Sequence, residues 1–453
     1  MFKELLQKQR NYFHTEATKS YEFRMKQLNK LYDAIVSHED SIIHALYEDL
    51  GKSTYEAYLT EIGVVKKELK DMMKHLKHYM KPRKVKQNLA LFKATSKVYH
   101  EPYGNVLIIA PWNYPFQLAL SPLIGALAAG NTAIIKVSEY ATHTEKVIKT
   151  MIQKTFESQY VEVVTGGVEE TQALLNENFD YIFFTGSPEV GKIIMRKASD
   201  HLTPVTLELG GKSPAIIHDG KEMYLIAKRI AYGKFINAGQ TCIAPDYIWV
   251  KEGLKEALIE SLKNAIESFY GNNPLEHPDY PKIISEKHYQ RLLKLIDPKK
   301  VIYGGQHNHQ KISPTLCDHI TWDDQIMQDE IFGPILPIMT YQDIDEVIDT
   351  LKCKDKPLAL YLFTEEKKIK DQIIQQLSFG GATINDTLMH FANENIPFGG
   401  VGKSGMGAYH GKHSFYTFTH NKGVVDRSTK IDLSLRYLPG SKKKANIVKK
   451  ILK

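Results

Sequence analysis

Cysteine is scarce. Three residues in 453, at 242, 317 and 353, are too few and too scattered for a disulfide framework. A reducing compartment is expected, and with it a cytoplasmic location. No His, Cys, Asp or Glu cluster has metal-ligand spacing, so no metal is expected. The eighteen histidines are scattered, and His307-Asn308-His309 reads as a surface loop. No apolar run reaches the ~18 residues of a membrane span. Met1-Phe2-Lys3-Glu4 mixes charge into its apolar residues, unlike a secretory leader. No GxxxxGK[ST] run is present, which disfavours phosphoryl transfer. A global basic field is also missing. The formal net charge is +7, but six lysines lie in the acid-free stretch 441–453, so the rest of the chain carries only +1. Nucleic acid is therefore disfavoured as a partner.

What is present is an ordinary globular balance, 43% hydrophobic and 25% charged, at a length that suggests two or three domains. Residues 3–79 read as three helical stretches, with Met25, Leu28, Leu31, Tyr32 and Ile35 at helical spacing. Gly51 ends one stretch and Ser53 caps the next. Pro82-Arg83 breaks the pattern, and residues 83–101 look extended. From Gly104 strands and helices alternate: strands over 105–110, 132–137, 161–164 and 181–185, with helices over 118–129 and 144–156. Repeated βα units imply a parallel sheet covered on both faces, with ligands beyond the carboxyl ends of its strands. Asn113, Lys136, Glu139 and Gly186 fall at such ends. Further strands are expected at 205–217, 247–250, 335–339, 358–363 and 382–384. The glycine-rich stretch 397–411 suits a loop that passes close to a ligand or another backbone.

Several residues could carry chemistry, each with a plain alternative. Gly239-Gln240-Thr241-Cys242 follows a helical run over 223–238, with Gly239 free to take positive φ. Its thiol is a candidate nucleophile or a small buried hydrophobe. Glu208, in Leu207-Glu208-Leu209-Gly210-Gly211, is a desolvated general base or a solvated strand-end acid. Phe184-Thr185-Gly186-Ser187-Pro188 with Gly191 offers a capped helix N-terminus to a pyrophosphate or is an ordinary βα turn. Lys136 and Glu139 grip ribose hydroxyls or form a surface ion pair. Glu330-Ile331-Phe332-Gly333-Pro334 sets an acid and an aromatic on one turn; the ring packs on a flat cofactor or in the core.

Taken in order, Pro111-Trp112-Asn113, Lys136-Val137-Ser138-Glu139, Phe184-Thr185-Gly186-Ser187, Glu208-Leu209-Gly210-Gly211-Lys212, Gly239-Gln240-Thr241-Cys242, Glu330-Ile331-Phe332-Gly333-Pro334 and Pro397-Phe398-Gly399-Gly400 resemble the aldehyde dehydrogenase superfamily. The match covers about residues 5–425. Cys242-Ile243-Ala244-Pro245-Asp246-Tyr247 and the short N-terminus look like its class 3 branch, which includes fatty and aromatic aldehyde dehydrogenases. The resemblance implies an α/β fold: a Rossmann-type parallel-sheet cofactor domain (1–82 and 101–209), an α/β catalytic domain (210–411) and small oligomerisation strands (83–100 and 412–430), followed by a basic tail (431–453). It implies Cys242 as nucleophile, Asn113 with the Cys242 N–H as oxyanion donors, and Glu208 as the base that activates water. Trp112, Lys136, Glu139, Gly186, Ser187, Gly191, Glu330 and Phe332 would hold NAD, with NADP as the alternative. Valine 137 stands where the family has proline, which loosens the turn carrying Glu139. The expected substrates are medium or long-chain aliphatic or aromatic aldehydes, from apolar residues around Tyr114, Leu118 and Phe391. A homodimer is expected. The rivals are an acylating or reductive relative, and a silent binding protein on the same fold.

The tail has its own reading. Ile447, Val448, Ile451 and Leu452 would share a helix face among lysines, which suits weak peripheral contact with an anionic membrane or a solvated end.

Overall fold

Short apolar runs bounded by Gly, Pro or Asn become strands that are buried on both faces. Asn105–Ile109, Thr132–Lys136 and Tyr181–Thr185 are buried at every position. The computed structural model describes residues 2–88, 91, 93–432 and 434–451. The first sheet runs Gly405–Met406, Val205–Glu208, Tyr181–Thr185, Asn105–Ile109, Thr132–Lys136, Val161–Val164. Five strands are parallel, and Gly405–Met406 is antiparallel at the edge. The strand order reverses at Asn105–Ile109, which pairs with Thr132–Lys136 on one side and Tyr181–Thr185 on the other. In a doubly wound sheet that reversal opens a crevice at the strands' carboxyl ends.

The second sheet has seven strands, in the order Val301–Tyr303, Thr315–Cys317, Ile335–Tyr341, Tyr247–Lys251, Pro214–Ile217, Ala359–Phe363, Gly381–Ile384. Only its first pair is antiparallel. A third sheet joins Arg83–Lys84, Ala94–Pro102 and Thr419–Arg427, all antiparallel.

Four expectations change. The N-terminal region holds more than three helical stretches: Lys3–His14, Tyr21–Ser37, Glu39–Leu50, Thr54–Ala57 and Gly63–Tyr79, with a π turn at Tyr58–Ile62 between the last two. The helix expected over 223–238 ends at Phe235. His307–Asn308 pairs with Lys311–Ile312 in a small hairpin rather than lying in a plain loop. The glycine-rich stretch is not all loop: Gly405–Met406 completes the first sheet beside Glu208. There the Cβ of any larger residue at Gly405 would lie 2.2 Å from the Leu207 carbonyl oxygen. The tail forms a helix, Lys442–Ile451, with Ile447 and Val448 exposed; Leu452 lies outside the described residues. No helix among the described residues is long and apolar enough to cross a membrane.

Candidate active site

The connection that carries Cys242 is strained. After Phe235, residues Asn237, Ala238 and Gly239 take φ of 51°, 50° and 74°. Left-handed conformations at non-glycine residues cost of order 1–3 kcal/mol each and persist only where surroundings fix them. At Gly239 a side chain is excluded, because a Cβ would lie 2.3 Å from the Gly333 carbonyl oxygen. The fixing groups are polar and buried. Asn237 N–H donates to Glu56 Oε1 at 2.8 Å, and its Nδ2 donates to the Asn113 carbonyl at 2.8 Å and the Gln240 carbonyl at 3.2 Å. Gln240 spans to a distant segment, donating to the Lys282 carbonyl and accepting from Ile284 N–H, each at 3.0 Å.

Asn113 is held from the other side by a buried ion pair. Lys52 Nζ meets Glu61 Oε1 at 2.5 Å, with both side chains fully inaccessible. Lys52 also donates to the Asn113 carbonyl at 3.3 Å and lies 4.0 Å above the Tyr114 ring. Glu61 Oε2 accepts from Phe116 and Gln117 N–H at 2.9 and 3.1 Å. A carboxylate there complements the dipole of the helix Gln117–Ala129. The Asn113 side chain is thereby aimed at the Cys242 loop. Its Nδ2 donates to the Gln240 carbonyl at 2.9 Å and retains a second N–H.

Cys242 is half-buried, and its thiol is pushed up to about 12 by burial and by the nearby Glu330 and Glu208 carboxylates. The N–H groups of Cys242 and Ile243 act in the opposite sense on the sulfur. Glu208 ends its strand at the seam with Gly405 and is buried. Neither of its carboxylate oxygens has a hydrogen-bond partner, and burial holds its carboxyl well above the usual range. Glu330 is pushed to about 8 by burial and by Asp246; Gly211 N–H, Lys212 and Lys234 oppose this. Glu330 Oε2 lies 1.8 Å from where a Cβ on Gly210 would stand, so only glycine leaves room for the carboxylate.

The remaining candidates gather at the carboxyl ends of the first sheet. Lys136 is buried, not on the surface. Its Nζ donates to the Val137 carbonyl at 2.7 Å and lies 3.7 Å from the partly exposed Glu139 carboxylate. Ser187 caps the helix Pro188–Ser199 by accepting from Val190 N–H. Gly186 is a close-approach position, since a Cβ would meet the Phe184 ring at 2.4 Å. Gly191 is buried, and a Cβ there would meet Leu209 at 2.8 Å, so it serves helix-to-sheet packing. Phe332 takes φ of 51° and sets its ring edge-on to Trp112 at 5.4 Å. A capped helix N-terminus at the strand-order switch, a lysine with spare donors and a solvent-facing carboxylate fit a dinucleotide. Among the described residues no cluster could hold a metal ion.

Cys242 also opens into a cavity of about 450 Å³, and Tyr114, Leu118 and Phe391 line it as expected. Lys136, Glu139 and Ser187 do not, so the cavity is separate from the candidate dinucleotide residues at the strand ends. Sequence reasoning missed Lys52, Glu56, Glu61 and Asn237. Three of these are charged, Glu56 and Glu61 on helical turns and Lys52 in the connection before them, where the default reading is a solvated surface.

The chain matches the profile of the aldehyde dehydrogenase family over residues 2–424. It is 52% identical to the 4,4'-diaponeurosporen-aldehyde dehydrogenase of Staphylococcus aureus (strain NCTC 8325 / PS 47), over 98% of this chain and 97% of the relative. It is 42% identical to aldehyde dehydrogenase family 3 member H1 of Arabidopsis thaliana, over 98% and 93%. A solved structure described as the substrate-bound state of Staphylococcus aureus AldH superposes with a TM-score of 0.98 at 50% identity, covering 100% of both chains.

Proposed function

The chain belongs to the aldehyde dehydrogenase family, an NAD(P)-dependent oxidoreductase family, and from that premise we propose that Cys242, Asn113 and Glu208 carry the reaction through a thioester. The Cys242 thiol loses its proton to solvent as its sulfur adds to the aldehyde carbon. The free N–H of Asn113 and the Cys242 backbone N–H receive the developing oxyanion. A bound oxidised nicotinamide would supply the acceptor for the hydride that leaves the thiohemiacetal carbon. The thiohemiacetal on Cys242 thereby becomes a thioester. Glu208 then takes a proton from water, whose oxygen attacks the thioester carbon; the acid leaves and the thiol is restored.

A base for this step must be desolvated and not already engaged. The observation that carries the proposal is that Glu208 is buried with both oxygens unpartnered while acting electrostatically on Cys242. On the cofactor side, Lys136 and Glu139 hold the adenine ribose, with Glu139 opposing a 2′-phosphate, so NAD is preferred over NADP. Glu330 holds the nicotinamide ribose, Phe332 and Trp112 flank the ring, and Gly186, Ser187 and Gly191 shape the pyrophosphate turn. The apolar cavity suits medium or long-chain aliphatic or aromatic aldehydes. The strand Thr419–Arg427, with Val424 and Val425 exposed, is the proposed homodimer edge, in a cytoplasmic enzyme. The lysine-rich helix Lys442–Ile451 makes weak contact with anionic membranes. NADH formation over an aldehyde panel, repeated on Cys242→Ala, tests the core of this. The substitution should lower turnover by a factor on the order of 10⁴ or more; substantial residual activity would overturn the mechanism.

A further inference from the structure

The cavity that Cys242 opens into is lined largely by aliphatic and aromatic side chains, with polar groups set among them, two of which are a buried acid and a buried imidazole. Glu68 and His410 line it and are only 4% and 5% exposed. Glu68 Oε2 and His410 Nδ1 both lack a hydrogen-bond partner. Buried polar atoms are seldom left so unless a ligand or water completes them.

Both side chains are fixed in place. Ser414 Oγ donates to Glu68 Oε1 at 3.1 Å and accepts from His410 N–H at 2.9 Å. His410 holds φ at 89°, a conformation rare outside glycine, and its ring stacks on Phe391 at 4.8 Å. Burial raises the Glu68 carboxyl, against the opposing influence of His410, Ser121 and Ser414. The pair therefore offers a donor and an acceptor with no formed ion pair between them. An anion is a poor guest. Lys67, the lysine of the cavity wall, is already engaged by Glu394 at 2.6 Å and Asp71 at 3.4 Å. A hydroxyl, which donates and accepts at one atom, suits an unmatched donor and an unmatched acceptor.

We propose that Glu68 and His410 form a polar subsite of the substrate channel that takes a neutral hydroxyl carried by the aldehyde at a distance from its reacting carbon. This rests on Cys242 being the nucleophile of the same cavity. The subsite ranks hydroxylated aldehydes above their apolar counterparts at the chain length that spans from Cys242 to the pair. An aldehyde without the hydroxyl either leaves the two groups unpaired or leaves a water between them.

The test uses the full-length enzyme with NAD and matched pairs of n-alkanals and ω-hydroxyalkanals, in chains too long to close as lactols. At one chain length the hydroxylated member should exceed its partner in kcat/KM by about tenfold, chiefly through KM. Glu68→Leu and His410→Phe should each bring that ratio towards one, whereas Glu68→Gln should keep most of it. If Glu68→Leu does not fold, the wild-type series and His410→Phe still decide. Ratios at or below one at every length, with alkanals turned over, would overturn the subsite and leave aldehyde oxidation standing. A ratio unmoved by either Leu or Phe would also overturn it. Failure to oxidise any aldehyde would remove the catalytic reading and this one together.

Discussion

Glu61 and Glu208 are both buried carboxylates, 0% and 3% exposed, yet their surroundings are opposites. Glu61 is saturated: Lys52 on one oxygen and two helix N–H groups on the other. Glu208 has nothing on either oxygen. The first is what a buried charge needs to remain a charge. The second favours the protonated form and so raises its carboxyl, as burial does here. The difference separates scaffold from reactant. Groups that fix Asn113 and the Cys242 loop are fully engaged, while the group proposed to handle a proton is left open.

Breaking the engaged side should show mainly in stability. Glu61→Gln leaves Lys52 buried without its counter-charge and should cost about 3–5 kcal/mol in denaturant melts. Glu208→Gln should cost far less, because no bond is lost. Equal losses would erase the distinction. Asn113→Ala keeps the fold's charges intact but removes the proposed oxyanion donor, so kcat should fall by about 10²–10³. An unchanged kcat would reduce Asn113 to a loop clamp.

The smallest effect is the dependence of stability on pH. Burial raises Glu208, Glu330 (to about 8) and Glu56 (to about 7) above their usual value near 4.5. The folded state then binds more protons than the unfolded one across that interval. Their contribution is fully present below about 4.5 and is lost as pH rises through the folded values; His288 and His390, held down to about 4 by burial, oppose this below 6.5, so stability should decline most clearly between pH 6.5 and 8. Thermal melts across that range check the sign, and Glu330→Gln should flatten the slope.

The same contrast marks what was readable from the sequence. Val161–Val164 and Tyr181–Thr185 fall where apolar runs between breakers placed them, because a strand buried on both faces writes itself locally. Gly239 was readable as a positive-φ position, since glycine signals it directly. Ala238 was not, since alanine disfavours left-handed backbone; Asn237 tolerates it, but the contacts to Glu56 and Asn113 that hold it there come from distant segments. Gly405–Met406 pairs with a strand almost two hundred residues earlier, beyond any local pattern. Lys52, in the connection between Glu39–Leu50 and Thr54–Ala57, and Glu61, on the π turn Tyr58–Ile62, read as solvated charges until their pairing and the packing of Tyr114 enclose them. Lys136 and Glu139 were visible as a pair, but the burial of Lys136 was not.

The open carboxylate at Glu208 is the centre of this picture, and one experiment addresses it most directly. Glu208→Gln, mixed rapidly with NAD and an alkanal, should release about one NADH per active site and then almost stop, with an acyl adduct on Cys242 visible by mass spectrometry. Sustained turnover at the wild-type rate, with no adduct, would contradict the assignment of Glu208 as the base that opens the thioester.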